Sequence, residues 1–528
     1  MDDPPIAKLH RDLLWQIFAT NAALDLPKID QEFDAYSPSP SPLTTARHTS
    51  QVCTSWRQLI IDSPSLWGNI IHLGALRQKS DAWRNEVLLR SGNSDLSIFG
   101  ILYGAYIQHA KEFLEMLLKN HWTRIKWVHI TIDSCGTVKQ WPDSAWRALG
   151  RPAPNLRFFS IRFEQKVQPS ICSSPGFILF ANHAPLLVHF EQNHLPINLE
   201  ASWISDLISL TLNSASNLNL SILLETCSQM HSLQTLRLMF NEFAKEGPSP
   251  EDSLHYVNIP SLSTLVIECP LDVSLAFLDH IEPAPGCSLQ LFANLKNIHS
   301  ITPTELVAAQ RILAKFANNY FCHRSATSFQ LSFIPRIKVS AGDIGGFKIS
   351  IRGVTTEVPT SLFLVLLGTF ELPHISGVKV LHLVAYGRPL PPPSTEFLAA
   401  TTALEELQIT SYGLIYFISL LDGIDQQRSF PHLKTLKWES AKVRCRDSDI
   451  TSLIVNFLVT RRKIGMPIEI FDFTDWYMVS DASVPMDIKM LEEVPALKVV
   501  WREEGDGLRE YICGSGRPQE LDAISNST

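Results

Sequence analysis

The first amphipathic pattern of the chain lies in residues 7–19. Its apolar positions recur with the period of an α-helix, and they are Leu9, Leu13, Leu14, Ile17 and Phe18. This spacing predicts a helix with one broad apolar face. The run S-P-S-P-S-P at residues 37–42 cannot continue a helix, so an exposed, extended loop is expected there.

A second helical pattern follows this loop. Its apolar stripe consists of Val52, Trp56, Leu59 and Ile60. We expect Thr44 or Thr45 to cap this helix, because a threonine side chain can accept a backbone N–H at a helix start. Pro64 ends the pattern, and a short helix carrying Trp67 follows. A core of about 65 residues is thin, so this helical unit is expected to pack on a partner or on the next domain.

An internal repeat fills the rest of the chain. Degraded copies of the phrase L-x-x-L-x-L begin at residues 125, 156, 207, 233, 262, 378, 404 and 433, and Leu187 opens a weaker copy. Most steps between copies are 20 to 31 residues, which is the leucine-rich-repeat period. The step of 116 residues after residue 262 is four times 29. It predicts three divergent units, two of them with strands at 328–333 and 347–351.

Alternation within each copy predicts a short strand with its leucines inward and the residues between them outward. Helix-like stretches separate the copies at residues 218–230, 304–316, 395–402 and 449–461. Residues 84–100 likewise pair a helix with a strand, and they join the helical unit to the repeats. Alternating strands and helices favour a curved solenoid with a parallel sheet on its concave face. A non-solenoid α/β domain is the alternative.

Three blocks near the start of the chain together resemble the F-box motif, in the form common in mushroom-forming fungi. They are L-H-R-D-L-L-W-Q-I-F (9–18), V-C-T-S-W-R-Q-L (52–59) and S-P-S-L-W (63–67), in the family's order. His10 stands where the family usually has proline, and the loop at 21–47 is longer than in a compact F-box. The resemblance implies a three-helix module that binds a Skp-type adaptor, and through it a cullin, in an SCF (Skp–cullin–F-box) ubiquitin ligase.

The resemblance also implies which residues contact the adaptor. Carried over by position, they are Leu9, Leu13, Leu14, Ile17, Phe18, Val52, Cys53, Trp56, Arg57, Leu59 and Trp67. Tryptophan and arginine are frequent interface anchors, which favours binding. The alternative is that all of these residues form the ordinary core of an N-terminal helical cap.

The predicted organisation follows from these patterns. Residues 1–71 are expected to form the all-α F-box with its loop at 21–47. Residues 72–513 are expected to form an irregular leucine-rich-repeat-like α/β solenoid with a parallel sheet, and residues 514–528 a flexible tail. The fold class is therefore α/β.

Composition narrows the classes of partner. Of 528 residues, 45% are hydrophobic and 19% charged, as in an ordinary folded protein. The net charge of −8, from 45 basic and 53 acidic residues, argues against nucleic acid as a partner. Nine cysteines without a C-x-x-C pair indicate free thiols in a reducing compartment. Without a signal peptide or an apolar run of membrane-spanning length, the sequence predicts an intracellular protein, in the cytoplasm, the nucleus or both.

Patterns that carry chemistry are missing from the sequence. It contains no nucleotide-binding, metalloprotease or hydrolase motif. His183, His189 and His194 have spacings that suit neither one helix face nor a strand, and the glycine-rich run 342–346 predicts a hairpin turn. We therefore expect no catalytic residue, no metal and no cofactor.

The sequence as a whole predicts the non-catalytic substrate receptor of an SCF-type ligase, with a protein substrate held by outward residues of the repeats. The candidate residues are Thr235, Arg237, Thr264, Glu268, His382, Gln408, Thr410, Thr435, Lys437 and Glu439. Two alternatives stay open. One is a leucine-rich-repeat scaffold that is not assembled with a cullin, and the other is an enzyme whose site in the repeats has no known motif.

Overall fold

The computed structural model describes residues 9–22, 41–102, 107–132, 146–163, 174, 176–193, 195–213, 218–241, 254–295, 302–333, 336–342, 346–353, 359–385, 394–421, 430–439, 450–475, 488–503, 507–522 and 524. Within this part of the chain, helices and parallel strands alternate, which makes the protein a mixed α/β structure. The chain divides into two compact units, Met1–Leu262 and Ser263–Thr528. The predicted F-box boundary after residue 71 lies inside the first unit and stays a prediction.

The first unit begins with four short helices, which are α1 (Arg11–Ala22), α2 (Pro42–Thr49), α3 (Thr54–Ile61) and α4 (Pro64–Asn69). The single helix predicted from residue 44 or 45 through Trp56 is wrong, because Cys53 is extended (φ −156°, ψ 169°) and separates α2 from α3. The predicted threonine caps are wrong as well. Ser41 is the N-cap of α2, and its hydroxyl accepts the backbone N–H of Thr44 at 3.2 Å.

Trp67 anchors these helices to the rest of the first unit. It lies on α4, is only 1% exposed, and its indole nitrogen donates to the carbonyl of Ile60 at 2.8 Å. The Trp83 ring of α5 (Ala82–Arg90) meets it edge-on at 6.1 Å, and the Arg90 guanidinium lies 4.6 Å from its ring centre. This residue is therefore both a core side chain and the hydrogen-bond partner of the last turn of α3.

A parallel sheet follows in the first unit. Its strands, in chain order and each beside the next, are β1 (Ile71–His72), β2 (Leu96–Leu102), β3 (Ile125–Ile132), β4 (Phe158–Phe163), β5 (His189–Asn193), β6 (Ser209–Asn213) and β7 (Thr235–Met239). The first unit also contains the helices α6 (Ile107–Asn120) and α7 (Leu220–Gln229), the two-residue strand β8 (Val257–Asn258) and short 3₁₀ turns.

The leucines of the repeat explain this register. Leu210 and Leu236 pair across neighbouring strands and are fully buried. The residue that opens each copy is buried too, but in most copies it lies in a turn before the strand. Leu207 and Leu233, for example, each donate their N–H three residues back, to Ile204 and Met230. Strands β6 and β7 consequently begin two residues later than the repeat phrase does.

The second unit contains a longer sheet and, outside it, the two-residue strand β10 (Ile281–Glu282). The sheet strands of this unit are β9 (Thr264–Pro270), β11 (Ser288–Leu295), β12 (Ser328–Phe333), β13 (Arg336–Ala341), β14 (Phe347–Gly353), β15 (Val380–Ala385), β16 (Glu406–Ile409), β17 (Thr435–Trp438), β18 (Ile470–Asp472), β19 (Lys498–Glu503) and β20 (Gly507–Ile512). Its helices are α8 (Leu271–Asp279), α9 (Pro303–Phe321), α10 (Thr360–Leu367), α11 (Leu372–Ser376), α12 (Ser394–Ala399), α13 (Ser411–Leu421) and α14 (Ile450–Lys463).

Strand order in this unit departs from chain order at one place. Neighbouring strands run β9–β11–β14–β13–β12–β15 and then in sequence to β20. The strands predicted at 328–333 and 347–351 are confirmed as β12 and β14, and antiparallel pairing of β13 with β14 confirms the predicted hairpin. Strand β13 was not predicted. The expected three stacked units are therefore replaced in part by an antiparallel meander, β12–β13–β14.

The C-terminal residues also differ from expectation. The flexible tail predicted from residue 514 is wrong over 514–522 and at Ile524, because Leu521 and Ile524 are buried at 0% and 2% exposure. A 3₁₀ turn at Pro518–Leu521 holds the first of them, and Lys489 forms an ion pair with Asp522 at 2.9 Å. Burial of these two apolar side chains is what keeps the segment packed.

Replacing Trp67 with alanine tests the role of this residue as an anchor. Removal of a buried tryptophan is expected to lower the free energy of unfolding by about 3–5 kcal/mol. The measurement is urea unfolding followed by circular dichroism. Trp15→Ala is the matched control, since Trp15 is 37% exposed and its loss should change stability by only about 0.5 kcal/mol. Equal stability of the two variants would contradict the assignment.

Candidate protein-interaction surfaces

Helix α1 and the segment just before it present apolar side chains to solvent. Leu9, Leu13 and Ile17 follow one another at intervals of four residues and are 36%, 49% and 41% exposed. Leu13 and Ile17 lie on the same side of the helix, and Leu9 lies two residues before its start. We call these three residues the α1 stripe. Since apolar side chains on one helix side are normally buried, the stripe is a candidate contact surface.

Two further exposed apolar side chains occur in this helical region. Val52 is 63% exposed in the loop between α2 and α3, and it belongs to the predicted contact set. Trp15 is 37% exposed on α1 and was not predicted. The helical spacing placed Trp15 off the main apolar face, and an exposed tryptophan on the opposite side leaves no trace in that spacing.

Beneath the stripe lies a small aromatic base. Phe18 is 4% exposed, and its ring meets Trp56 edge-on at 4.9 Å between centroids. Leu14 and Trp56 are half-buried. Two predicted contact residues are core residues in this structure, because Leu59 is 6% and Trp67 1% exposed. Their predicted direct contact with an adaptor is not supported, and they stabilise the helices from below.

Cys53 and Arg57 flank the start of α3 and are both exposed. The Arg57 Nε donates to the carbonyl of Ser50 at 3.2 Å, which closes the loop between α2 and α3. The Ser55 hydroxyl lies 3.2 Å from the Cys53 sulfur, and this contact lowers the pKa of the thiol. Both predicted contact residues are accessible to a partner.

The outward positions of β3, β4 and β5 in the first unit carry an aromatic ladder. Trp127, Phe158 and His189 are register neighbours on these three strands. The rings of Trp127 and Phe158 stack at 3.8 Å and 6°, and the Phe158 and His189 centroids are 5.7 Å apart. Thr235, a predicted substrate contact, continues the row on β7 after Ser209.

A polar row runs beside this ladder. His129, Ser160, Glu191, Thr211 and Arg237 pair in register across β3 to β7, so the predicted contact Arg237 lies on the same face. Glu191 accepts hydrogen bonds from the Ser160 hydroxyl at 2.7 Å and from Nε of Arg162 at 2.6 Å. This carboxylate is therefore held by a neutral and a charged donor.

His129 is nearly buried at 8% exposure in this row. Burial lowers the pKa of its imidazole to about 4, the Glu191 carboxylate opposes this effect, and the Arg162 guanidinium adds to it. The residue is thus neutral at pH 7 and contributes a flat, uncharged ring to the face.

The outward face of the second unit brings several predicted substrate contacts together. His382, Gln408 and Lys437 are register neighbours on β15, β16 and β17. His382 Nε2 lies 2.6 Å from a carboxylate oxygen of Glu439, and Lys437 Nζ lies 2.8 Å from Asp475. The face therefore carries two separate pairs, His382–Glu439 and Lys437–Asp475, on strands that flank Gln408, and these polar groups can hydrogen-bond a protein partner.

Other predicted contacts in this unit have separate positions. Thr435 pairs with Glu406, which in turn accepts from the Gln408 amide at 2.8 Å. Thr264 and Glu268 lie at outward positions of β9, where Glu268 is exposed.

The prediction that Thr410 is an outward substrate contact is wrong. This residue is 2% exposed, and its hydroxyl donates to the carbonyl of Ala385 at 3.2 Å and accepts the N–H of Gly413 at 3.3 Å. Strand β16 ends at Ile409, so the outward alternation predicted for Thr410 stops one residue earlier. The side chain connects the end of β15 to the start of α13 instead.

Residues for metal chemistry do not come together in the part of the chain that the structure describes. No group of three or more histidine, cysteine, aspartate or glutamate side chains there has the geometry to hold a metal ion. His194 of the histidine cluster lies outside the described residues. Among the described helices, none combines the length and apolar character that crossing a membrane requires.

Comparison with known proteins adds no family. No family model matches the chain, and no curated protein matches it. The F-box resemblance therefore rests on the motif residues of the sequence.

The lowered pKa of His129 predicts that the stability of the fold depends on pH. The unfolded imidazole titrates near 6.5, so as the pH falls the unfolded chain binds this proton before the folded chain does. The free energy of unfolding should therefore fall between pH ~6.5 and ~4, by up to about 3 kcal/mol from this residue.

Urea unfolding at a series of pH values measures this loss. His129→Gln should reduce the slope over that interval without removing it, because burial also lowers the pKa of His72 to about 4 and that group still titrates in the variant. His231→Gln, at an exposed histidine of the same unit, is the control and should keep the wild-type slope. A wild-type slope in the His129 variant would show that this imidazole is not held neutral.

Proposed function

We propose that the chain is the substrate-receptor subunit of an SCF-type E3 ubiquitin ligase. Its N-terminal helices would bind a Skp-type adaptor, and the outward faces of its sheets would bind a protein substrate. The protein itself would catalyse no covalent bond formation. Its contribution would be to hold a substrate lysine near the charged conjugating enzyme, so that the two reactants are already positioned to react.

The α1 stripe is the observation that carries this proposal. Leu13 and Ile17 are exposed although they belong to an apolar helical face, Leu9 is exposed just before that helix, and Phe18 on the same helix is buried against Trp56. Phe18 thus stabilises the helix, while the exposed residues of the α1 stripe are available to a partner. A helix that binds an adaptor needs both sets, because the residues that contact the adaptor must not be the ones that hold the helix in the fold.

Two ion pairs on the outward face of the second unit support the substrate half of the proposal. The partners in His382–Glu439 and Lys437–Asp475 hold each other in place, and they stay partly exposed. Side chains held in place lose less rotational freedom when a partner binds. A polar, pre-arranged face of this kind fits a protein surface better than a small apolar ligand.

The proposal is tested with purified full-length chain and a purified Skp-type adaptor in a pull-down. Leu13→Asp/Ile17→Asp places two charges in the α1 stripe and should abolish retention of the adaptor. Each replaced side chain contributes about 1.5–3 kcal/mol when buried in a contact, and a buried, unpaired carboxylate costs still more. Both positions are exposed in the unbound chain, so the fold should be retained.

Leu89→Asp is the matched control, because Leu89 is 75% exposed on α5 of the same unit. It should retain the adaptor like wild type. If wild type does not bind, or if the stripe variant binds as well as the control, the ligase proposal is wrong. Adaptor binding without recruitment of a cullin would indicate a scaffold protein instead.

A further inference from the structure

Strand β20 lies at an edge of the second-unit sheet. It pairs antiparallel with β19, and the register gives it no second neighbouring strand in the part of the chain that the structure describes. Five of its six residues are exposed, and Tyr511 is the buried one. A sheet edge carries a row of backbone N–H and C=O groups with which a further strand can pair. We call the free side of this strand the β20 edge.

Hydrogen bonding identifies the backbone groups that the β20 edge carries. The N–H of Cys513, the residue after the strand, donates to the carbonyl of Leu497 at 2.9 Å, on the β19 side. In an antiparallel pair, the backbone groups of successive residues point alternately to the two sides of the strand. Counting back from Cys513, the groups of Leu508, Glu510 and Ile512 therefore point to the free edge. They offer three donors and three acceptors in one row.

The side chains of these three residues share the outward face. Leu508 is 65% and Ile512 55% exposed, although both are apolar. The half-buried Val500 on β19 lies opposite Glu510, and so diagonally beside both of them. The Glu510 carboxylate forms an ion pair with Lys498 at 2.5 Å, which balances its negative charge. An apolar patch thus lies directly beside the backbone groups of the free edge.

We propose that the β20 edge binds the same edge of a second copy of this chain, antiparallel and around a twofold axis at Glu510. In this register Glu510 lies opposite its counterpart, and each Leu508 lies opposite an Ile512. All donors and acceptors of both edges then find a partner, and two apolar pairs form on the outward face. Two lysines accompany the two glutamates at the axis, so the charge there sums to zero.

Other positions of the axis satisfy fewer groups. With the axis at Arg509, Leu508 would lie opposite a glutamate, and Ile512 would lie beyond the end of the other copy's strand. With the axis at Tyr511, Leu508 would lie beyond the end instead. Glu510 is therefore the one position that pairs all three residues, and it is the middle one of the three. This self-complementarity is what favours a second copy as the partner, and it does not depend on the proposed ligase function.

Analytical ultracentrifugation of the full-length chain over a series of concentrations tests the association. Wild type should show a monomer–dimer equilibrium. Leu508→Lys/Ile512→Lys should weaken dimerisation about tenfold or more, because charges replace both apolar pairs. Val307→Lys/Leu372→Lys is the matched control, since these residues are 68% and 59% exposed on helices of the same unit. This control should dimerise like wild type.

Two replacements at residue 510 test the pairing of the backbone. Glu510→Pro removes an N–H that points away from β19, so the strand should stay in its own sheet while the edge loses a donor. Dimerisation should weaken about tenfold or more, because the hydrogen bond is lost and the proline ring obstructs the second strand. Glu510→Gln keeps the N–H and removes only the charge. It should dimerise at least as tightly as wild type.

A disulfide tests the register itself. Across the axis, the two Cα atoms of residue 510 would lie about 5.5 Å apart, which a disulfide can bridge. Mild oxidation of Glu510→Cys should therefore give a linked dimer in non-reducing electrophoresis. Leu508→Cys is the matched control, because its two copies would be four residues apart along the strands, roughly 14 Å. The unmodified chain shows how much linkage its own cysteines give.

A wild type that stays monomeric over the whole series would overturn the inference. So would a dimer that persists equally in the lysine and proline variants, because its interface would then lie elsewhere. Equal linkage through the cysteines at 508 and 510 would contradict the twofold pairing at Glu510. If the proline variant does not fold, the lysine and cysteine variants still decide the question. Adaptor binding is tested separately, through the α1 stripe.

Discussion

Burial of alternate leucines along parallel strands is the constraint on which most of this structure depends. Leu210 and Leu236 in the first unit, and Leu381, Leu407 and Leu436 in the second, are all fully buried and in register with their neighbours. A shift of register by one residue would turn each of them to solvent. The inward positions must therefore stay apolar. The outward positions can hold charged, aromatic and hydrogen-bonding side chains, which the register aligns in rows.

Much of the sheet could be predicted from this repetition, because every copy places its apolar residues at the same intervals. Strand β13 could not, since the segment R-I-K-V-S-A (336–341) alternates like a strand but lacks the leucine phrase. It pairs with the strands on either side of it in the chain, and its place in the sheet is set by the distant pairings of β14 with β11 and of β12 with β15.

The helical region shows a second limit of sequence patterns. Spacing identified the apolar face of α1, but it gave the same weight to Phe18 and Ile17, of which one is buried and the other exposed. Which residue is buried depends on the neighbouring helix, here through Trp56. The break before α3 was missed because no proline or glycine marks it. The prediction for Thr410 was wrong for a local reason. Side chains alternate between the two faces only within a strand, and β16 ends one residue before Thr410.

The hydrogen bond from the Trp67 indole to the Ile60 carbonyl has a mechanical consequence. A carbonyl in the last turn of a helix lacks a partner within that helix. The Ile60 carbonyl accepts the Ser63 N–H just beyond α3 and, at a shorter distance, the indole of a core side chain on the helix that packs on β2. The end of α3 is thereby held to the first-unit sheet without an intervening flexible linker. A partner seated on these helices would share one orientation with whatever the first-unit sheet binds, and their effective concentration would be set by that fixed geometry.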